Sequence, residues 1–315
     1  MCTAISYQAK EHYFGRNLDV ECGYEESVVI TPRNYELVFR MLPTLKRHYA
    51  MIGIAYERDQ YPLYYDATNE KGLSVAGLLF TGNAYYGTAV ENRDNLSAFE
   101  LIPWLLGQCA DVREALVLLN RICLVEIPFC EQLPLTPLHW MIADKERCIV
   151  LEAVKEGIKI HQNPVGVLTN NPPFEYQMMN LKNYRGLSNE AGENRFAKGL
   201  ELEEYSRGMG AMGLPGDLSS MSRFVRASFH KMNSVTGETE MQNVNQFFHL
   251  LGSVEMPKGS LKMENGQYEM TRYSSCCNTE RGIYYYTTYE NRRIRKVELW
   301  NEDLEQEKLV EYPIE

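Results

Sequence analysis

A cysteine directly follows Met1, at a position where one residue can supply two catalytic groups. Removal of Met1 would leave the Cys2 thiol and a free α-amine side by side, a nucleophile and its own base. Thiols ionise near about 8.5 and α-amines near about 7.7 to 8.0, so modest tuning brings either into play at neutral pH. Met-Cys is also what chance gives many chains, and the chemistry therefore needs partners elsewhere. One set lies in Phe14-Gly15-Arg16-Asn17-Leu18-Asp19. A cation close to a thiol favours the thiolate, and a carboxylate can hold an amine. Strict strand alternation places Arg16 and Asp19 on opposite faces, so both reach one residue only near a strand end or at a bulge. A surface ion pair is the competing interpretation. Arg223 and Arg226 form a second set in Ser222-Arg223-Phe224-Val225-Arg226, at the start of a helical pattern. Cations there oppose the helix dipole, which suggests a partner anion for one of them, against the commoner case of exposed arginines.

Other chemistries fit poorly. Gly208, Gly210 and Gly213 match Gly-x-Gly-x-x-Gly, but charged residues precede them and Pro215 would break the helix that a dinucleotide phosphate requires. The six histidines include no His-x-x-x-His, no Cys-x-x-Cys is present, and adjacent Cys276 and Cys277 read as packing residues, so neither a metal nor an organic cofactor is expected. There is no Gly-x-Ser-x-Gly elbow.

The elements that must position these groups are short β-type runs at 2–7, 13–18, 28–31, 49–56, 73–80, 139–143, 149–154, 158–161 and 283–289. Their close spacing suits antiparallel hairpins, because parallel strands need long crossovers. Helical patterns cover 98–109, a segment opened by Asp111 and Glu114 and ending at Leu119, 220–232 and 244–251. Strands grouped between helices predict an α+β layered fold. Two polar segments, 183–207 and 301–315, lack the periodicity of core; the first is expected to project as a solvated loop, a subunit contact or an active-site rim.

The composition, 44% hydrophobic and 23% charged, is that of a globular protein, and 315 residues suit either one large domain or two ordinary ones. The net charge of −10 makes nucleic acid and anionic membranes poor partners, although local arginines can still bind a small anion. No apolar signal segment or membrane span is visible, which predicts a cytoplasmic protein whose eight cysteines are reduced.

Taken together, Met1-Cys2-Thr3, Phe14-Gly15-Arg16-Asn17-Leu18-Asp19, Asn69-Glu70-Lys71-Gly72-Leu73, Leu138-His139-Trp140, Gly166-Val167-Leu168-Thr169-Asn170, Gly213-Leu214-Pro215-Gly216-Asp217, Ser222-Arg223-Phe224 and Gly282-Ile283-Tyr284-Tyr285-Tyr286 resemble the choloylglycine hydrolase family over nearly the whole chain, and its bile salt hydrolases more than its penicillin V acylases. The resemblance implies that 1–315 forms a single domain, a four-layer αββα N-terminal-nucleophile sandwich with two antiparallel sheets. It implies Cys2 as nucleophile and base, Asp19 orienting the amine, Arg16 and Arg223 setting the field, and Asn170 donating to the oxyanion. The substrate implied is a taurine- or glycine-conjugated bile salt, with amine acyltransfer as a side activity and a homotetramer as the assembly. Arg207, in Tyr205-Ser206-Arg207-Gly208, would face a taurine sulfonate, unless it only holds its own loop or a neighbouring subunit. Tyr24, Tyr61, Phe129 and Leu133 would line a steroid face. One position departs: Gly77-Leu78-Leu79-Phe80 has leucine where the bile salt hydrolases usually carry asparagine, leaving at most the Leu79 backbone N–H as a donor. That departure keeps open an acylase for another N-acyl substrate, such as penicillin V or an acyl homoserine lactone, and a non-catalytic bile-acid-binding homologue.

Overall fold

The structure, a computed structural model, describes residues 1–314. The first half of the chain is mainly strand: β1 (Cys2–Gln8), β2 (His12–Val20), β3 (Ser27–Thr31), β4 (Met51–Arg58), β5 (Tyr61–Asn69), β6 (Ser74–Leu79) and β7 (Asp94–Ser97), then helices α1 (Leu101–Gln108) and α2 (Val112–Leu119). After β8 (Ile122–Val125), β9 (Leu138–Ala143), β10 (Cys148–Val154), β11 (Gly157–Gln162) and β12 (Val167–Leu168) come α3 (Phe174–Leu181), α4 (Ser220–Met232) and α5 (Glu240–Gly252). The chain ends with β13 (Leu261–Lys262), β14 (Tyr268–Asn278), β15 (Ile283–Thr288), β16 (Arg295–Glu298) and β17 (Val310–Pro313).

One sheet runs β12-β1-β2-β14-β15-β16 with β13 on β14, and the other runs β11-β10-β9-β6-β5-β4-β3-β17. Every ladder within these two sheets is antiparallel, including the closely spaced hairpins, and the parallel pairing among the described residues lies apart from them, in β7–β8 and the adjoining Gly87–Val125 bridge. The inner faces share one core, in which Phe14 and Leu18 meet Ile52, Ile54, Ala76 and Leu78, and Phe224, Val244 and Phe247 of α4 and α5 close its outer side. A second core packs Leu101, Leu105, Val112 and Leu119 of α1 and α2 on Val29, Met51, Val75 and Trp140. The result is the expected α+β sandwich in four layers, αββα.

A strand buried on both faces loses its alternating signature. In β2 every residue from His12 to Asp19 is buried. Gly15 is required there, because a Cβ would lie 1.9 Å from the Ser275 carbonyl oxygen of β14. Gly15→Ala must prise β2 from β14, and urea denaturation is expected to show a loss of about 3 kcal/mol.

The fold also corrects the sequence reading. Strands β5 and β14 and helix α3 carry no clear pattern and were not expected. The helix expected over 98–109 is a 3₁₀ turn (Ala98–Glu100) leading into α1, and α5 begins earlier than 244 through a Thr239/Gln242 capping box. Segment 301–315 is not wholly outside the core: Leu304 is buried and β17 pairs with β3. Residues 189–207 are all exposed, so the other polar segment does project.

Candidate active site

Cys2 opens β1 and is 2% exposed. The register sets Cys2 opposite Leu18 and Ala4 opposite Arg16, so the side chains of Cys2 and Arg16 share the face turned toward the second sheet. Arg16 is held there by Nη1, which donates to the carbonyls of Tyr65 at 2.9 Å and Gly77 at 2.5 Å, while its buried Nη2 has no hydrogen-bond partner among the described residues. Burial works against the guanidinium charge, but the negative neighbours Cys2, Tyr273, Asp66 and Asp19 outweigh it and raise its pKa.

Asp19 occupies the opposite face at the far end of β2. Its Oδ1 accepts the Thr271 hydroxyl at 2.6 Å, and its buried Oδ2 has no hydrogen-bond partner among the described residues. The β2–β14 register shifts between Thr271 and Tyr273, directly beside Asp19 and Leu18. Asp19 therefore sits at a strand end, one of the two places that alternation allowed, while the bulge lies in the partner strand and leaves the alternation of β2 intact. Burial raises the Asp19 pKa against the opposing pull of Arg223, the chain's amino terminus, Thr271 and Arg16.

Arg223 comes from the first turn of α4, which Ser219 caps by accepting from the Ser222 N–H. The guanidinium is fully buried. It donates to the Cys2 carbonyl at 2.6 Å, Thr3 Oγ1 at 2.7 Å, Asn170 Oδ1 at 2.8 Å and the Leu218 carbonyl at 3.0 Å. Arg226 instead holds the carbonyls of Ser253, Pro215 and Asp217, tying a loop to the end of α5.

Asn170 is the hub. Its N–H donates to Ser220 Oγ at 2.8 Å and its carbonyl accepts from Gln177 Nε2 at 3.2 Å. Oδ1 accepts from the Cys2 N–H at 2.8 Å as well as from Arg223, which fixes the amide orientation, and Nδ2 donates to the Leu79 carbonyl at 2.8 Å. One Asn170 amide hydrogen is thus already used, a detail that the expected oxyanion role did not include. In the chain carrying Met1, the amino group at this edge is that of Met1, which bonds to the Asp19 carbonyl at 2.5 Å and pairs with Glu269. Burial lowers the pKa of this amine, Cys2 and Asp19 oppose the shift, and Arg223 and Arg16 add to it.

Behind Asn170 stands a buried buttress that the sequence did not reveal. His139 Nε2 donates to the Thr169 carbonyl at 2.8 Å, its Nδ1 meets Glu152 Oε1 at 3.3 Å, and Phe80 stacks on the ring at 4.3 Å. Burial alone would raise the Glu152 pKa, but His139, His161 and the Phe174 N–H bring it down to about 2. A carboxylate depressed in the folded state stabilises above its ordinary range and loses that contribution as pH falls through the folded value. Unfolding free energy is therefore expected to drop by about 3 kcal/mol between about pH 5 and pH 2, with Glu152→Gln flattening that slope in pH-resolved denaturation.

Tyr24, Phe129 and Leu133 line a cavity of about 330 Å³, together with Tyr65 and Pro137. Tyr65 also bonds Arg16, and the Pro137 carbonyl accepts from the Phe80 N–H at the end of β6, so the cavity adjoins the Cys2 cluster. Tyr61, expected on the same face, does not line the cavity; it packs behind it, with ring centroids 5.6 Å from Phe99 and 5.8 Å from Phe129, two residues that do. Arg207 lies exposed on the projecting segment, and no hydrogen bond or ion pair among the described residues joins it to the cluster. No group of three or more His, Cys, Asp or Glu side chains among the described residues is placed to hold a metal. Sequence reasoning missed Thr3, Asp66, Gln177, Ser220 and Thr271. Only Thr3 lay within a quoted motif; the others carry no local signal.

A buried cysteine at a strand head, with two buried guanidiniums and an oriented asparagine, is an arrangement for acyl transfer. Residues 2–312 match the choloylglycine hydrolase family of linear amide C–N hydrolases. A bile salt hydrolase/transferase of Lactiplantibacillus plantarum is 57% identical over 314 residues, covering 100% of this chain and 97% of the relative. One from Clostridium perfringens is 35% identical over 99% of this chain and 96% of the relative. The crystal structure of a mutant conjugated bile acid hydrolase from Clostridium perfringens superposes with a TM-score of 0.93 at 34% identity, covering 100% of this chain and 97% of that one. Penicillin V acylase from Agrobacterium tumefaciens, at 20% identity and a TM-score of 0.78 over 98% of this chain and 90% of that one, shares the fold. The chain belongs to the choloylglycine hydrolase family, the linear amide C–N hydrolases.

Proposed function

We propose that the protein cleaves the amide bond of taurine- or glycine-conjugated bile salts with Cys2 as nucleophile. The observation that carries this reading is the placement of Cys2 at the head of β1, with its nitrogen on Asn170, its carbonyl on Arg223 and Arg16 on the same face. While Met1 is attached, the Cys2 nitrogen is an amide and cannot act as a base. After Met1 is removed it becomes an amine, anchored by Asn170 Oδ1 and facing the charge of Asp19. That amine takes the thiol proton as sulfur attacks the amide carbonyl, and returns it to the departing taurine or glycine nitrogen. Water then cleaves the thioester. A second amine intercepting the thioester gives a new amide, hence the proposed acyltransferase side activity.

In an extended strand the N–H and C=O of one residue point to the same edge. The Gly77 and Leu79 carbonyls point toward Arg16 and Asn170, so the Leu79 N–H turns the same way. With the remaining Asn170 amide hydrogen it supplies the proposed oxyanion site. Tyr24, Phe129 and Leu133 would receive the steroid, with Tyr61 packed behind them, and Arg207 would act on the conjugate only from a neighbouring subunit. We take 1–315 as one domain, because β17 returns beside β3. A homotetramer through 183–207 and a cytoplasmic setting complete the reading; no helix among the described residues is long and apolar enough to cross a membrane. The apolar Leu79 side chain favours one second reading, an acylase for penicillin V or an acyl homoserine lactone. A panel of taurocholate, glycocholate, penicillin V and acyl homoserine lactones, read by release of the amine, decides between them. Fastest release of taurine or glycine supports the first; tight binding of conjugates without turnover would leave a binding homologue.

A further inference from the structure

Leu79 brings no side-chain donor to the site, so the electropositive groups that can face a developing oxyanion are amides whose directions depend on their backbones. They lie on two segments far apart in sequence, 79–84 and 169–171. Asparagine side chains stitch these together. Asn170 Nδ2 reaches the Leu79 carbonyl at 2.8 Å, Asn83 Nδ2 donates to Asn171 Oδ1 at 2.7 Å, and Asn171 Nδ2 returns to the Thr81 carbonyl at 2.6 Å. The loop between Leu79 and Asn83 is a tight turn, in which the N–H groups of Asn83 and Ala84 both bond to the Phe80 carbonyl, at 3.2 and 3.0 Å. A pull at Asn83 is therefore transmitted to the end of β6. The opposite segment is immobilised from behind, by Ser220 and Gln177 on Asn170 and by His139 on Thr169. Asn83 is the one tether here that is anchored on the β6 loop by its own side chain.

We infer that Asn83 is a positioning residue for the oxyanion site, holding the Leu79 N–H in register with the Asn170 amide by donating to Asn171. The inference rests on the reading of the cluster as an acyl-transfer centre. Asn83 does not line the aromatic cavity, so its loss acts on the chemical step and leaves ground-state binding alone. Donors to an oxyanion work only within a few tenths of an ångström of their place, and a displacement of about 1 Å costs about a hundredfold.

The experiment uses the mature full chain and its best substrate. Asn83→Ala is expected to lower kcat about tenfold with KM within about twofold, and Asn83→Asp, which cannot donate to Asn171, to do the same. Leu79→Asn places a side-chain donor at the site that depends less on the loop. In that background Asn83→Ala is expected to cost less than about threefold, a coupling that general loosening of the fold does not produce. The melting temperature and the rate at which iodoacetamide alkylates Cys2 are expected to stay at wild-type values. A kcat unchanged by Asn83→Ala, an equal loss in both backgrounds, or slowed alkylation overturns the inference alone. A wild-type chain that turns over no N-acyl substrate overturns the acyl-transfer reading and this inference with it.

Discussion

Cys2→Ala is expected to lower amide cleavage by at least about ten-thousandfold while the protein stays folded and still binds conjugates. The loss is large because the substitution removes the attacking atom itself, and no neighbour can take its place. Burial pushes the thiols of Cys109, Cys148 and Cys277 up to about 12, and that of Cys276 well above its usual range, which disfavours their thiolates. The fold should tolerate the change, since only one sulfur is lost from a residue whose backbone makes the contacts to Asn170 and Arg223. Intact mass beside release of taurine and glycine checks both halves: a mass lacking Met1 together with release that vanishes in the variant supports the assignment. More than about one per cent residual release, with no wild-type contamination, would place the nucleophile elsewhere.

Asn170→Ala is expected to reduce kcat by about a hundred- to a thousandfold, through the loss of two functions held by one amide. Truncation leaves the Cys2 nitrogen, one arm of Arg223 and the Leu79 carbonyl without a partner. Each buried orphan costs about 1 to 3 kcal/mol, so a lower melting temperature accompanies the kinetic loss. Asn170→Asp separates the functions. Its carboxylate still anchors the amine and Arg223 but cannot donate to the Leu79 carbonyl or an oxyanion. A kcat close to that of Asn170→Ala would assign most of the effect to the donated hydrogen; a rate near wild type would assign it to the amine anchor. Steady-state kinetics and thermal unfolding on the same preparations read both.

Several elements were legible because their patterns are local. Strands β1, β9 and β10 are largely hydrophobic runs bounded by turn or charged residues, and α2 carries its Asp111 cap in plain view. Strand β5 was not, because Pro62 and Asp66 interrupt it and both its faces are largely covered, which erases alternation. Asp66 reads as a loop residue in sequence; in the fold it is buried and accepts the hydroxyls of Tyr273, Ser275 and Tyr284 from the other sheet. Strand β17 is short and ends in Pro313, which an edge strand tolerates and a sequence pattern does not announce.

The sequence by itself determined the class of the reaction's parts: a cysteine next to Met1, cations and a carboxylate in short ordered motifs, and an antiparallel layered fold. These follow from residue type and spacing, which neighbouring positions carry. Tertiary structure alone decided how the parts are used. It put Arg16 on the thiol's face and Asp19 on the other, buried Arg223 against the Cys2 carbonyl, and turned Asn170 so that its oxygen holds the nitrogen of Cys2 while its amide reaches Leu79. Cys2 lies 168 residues from Asn170 and 221 from Arg223, and contacts between groups so far apart along the chain arise only when sheets and helices pack.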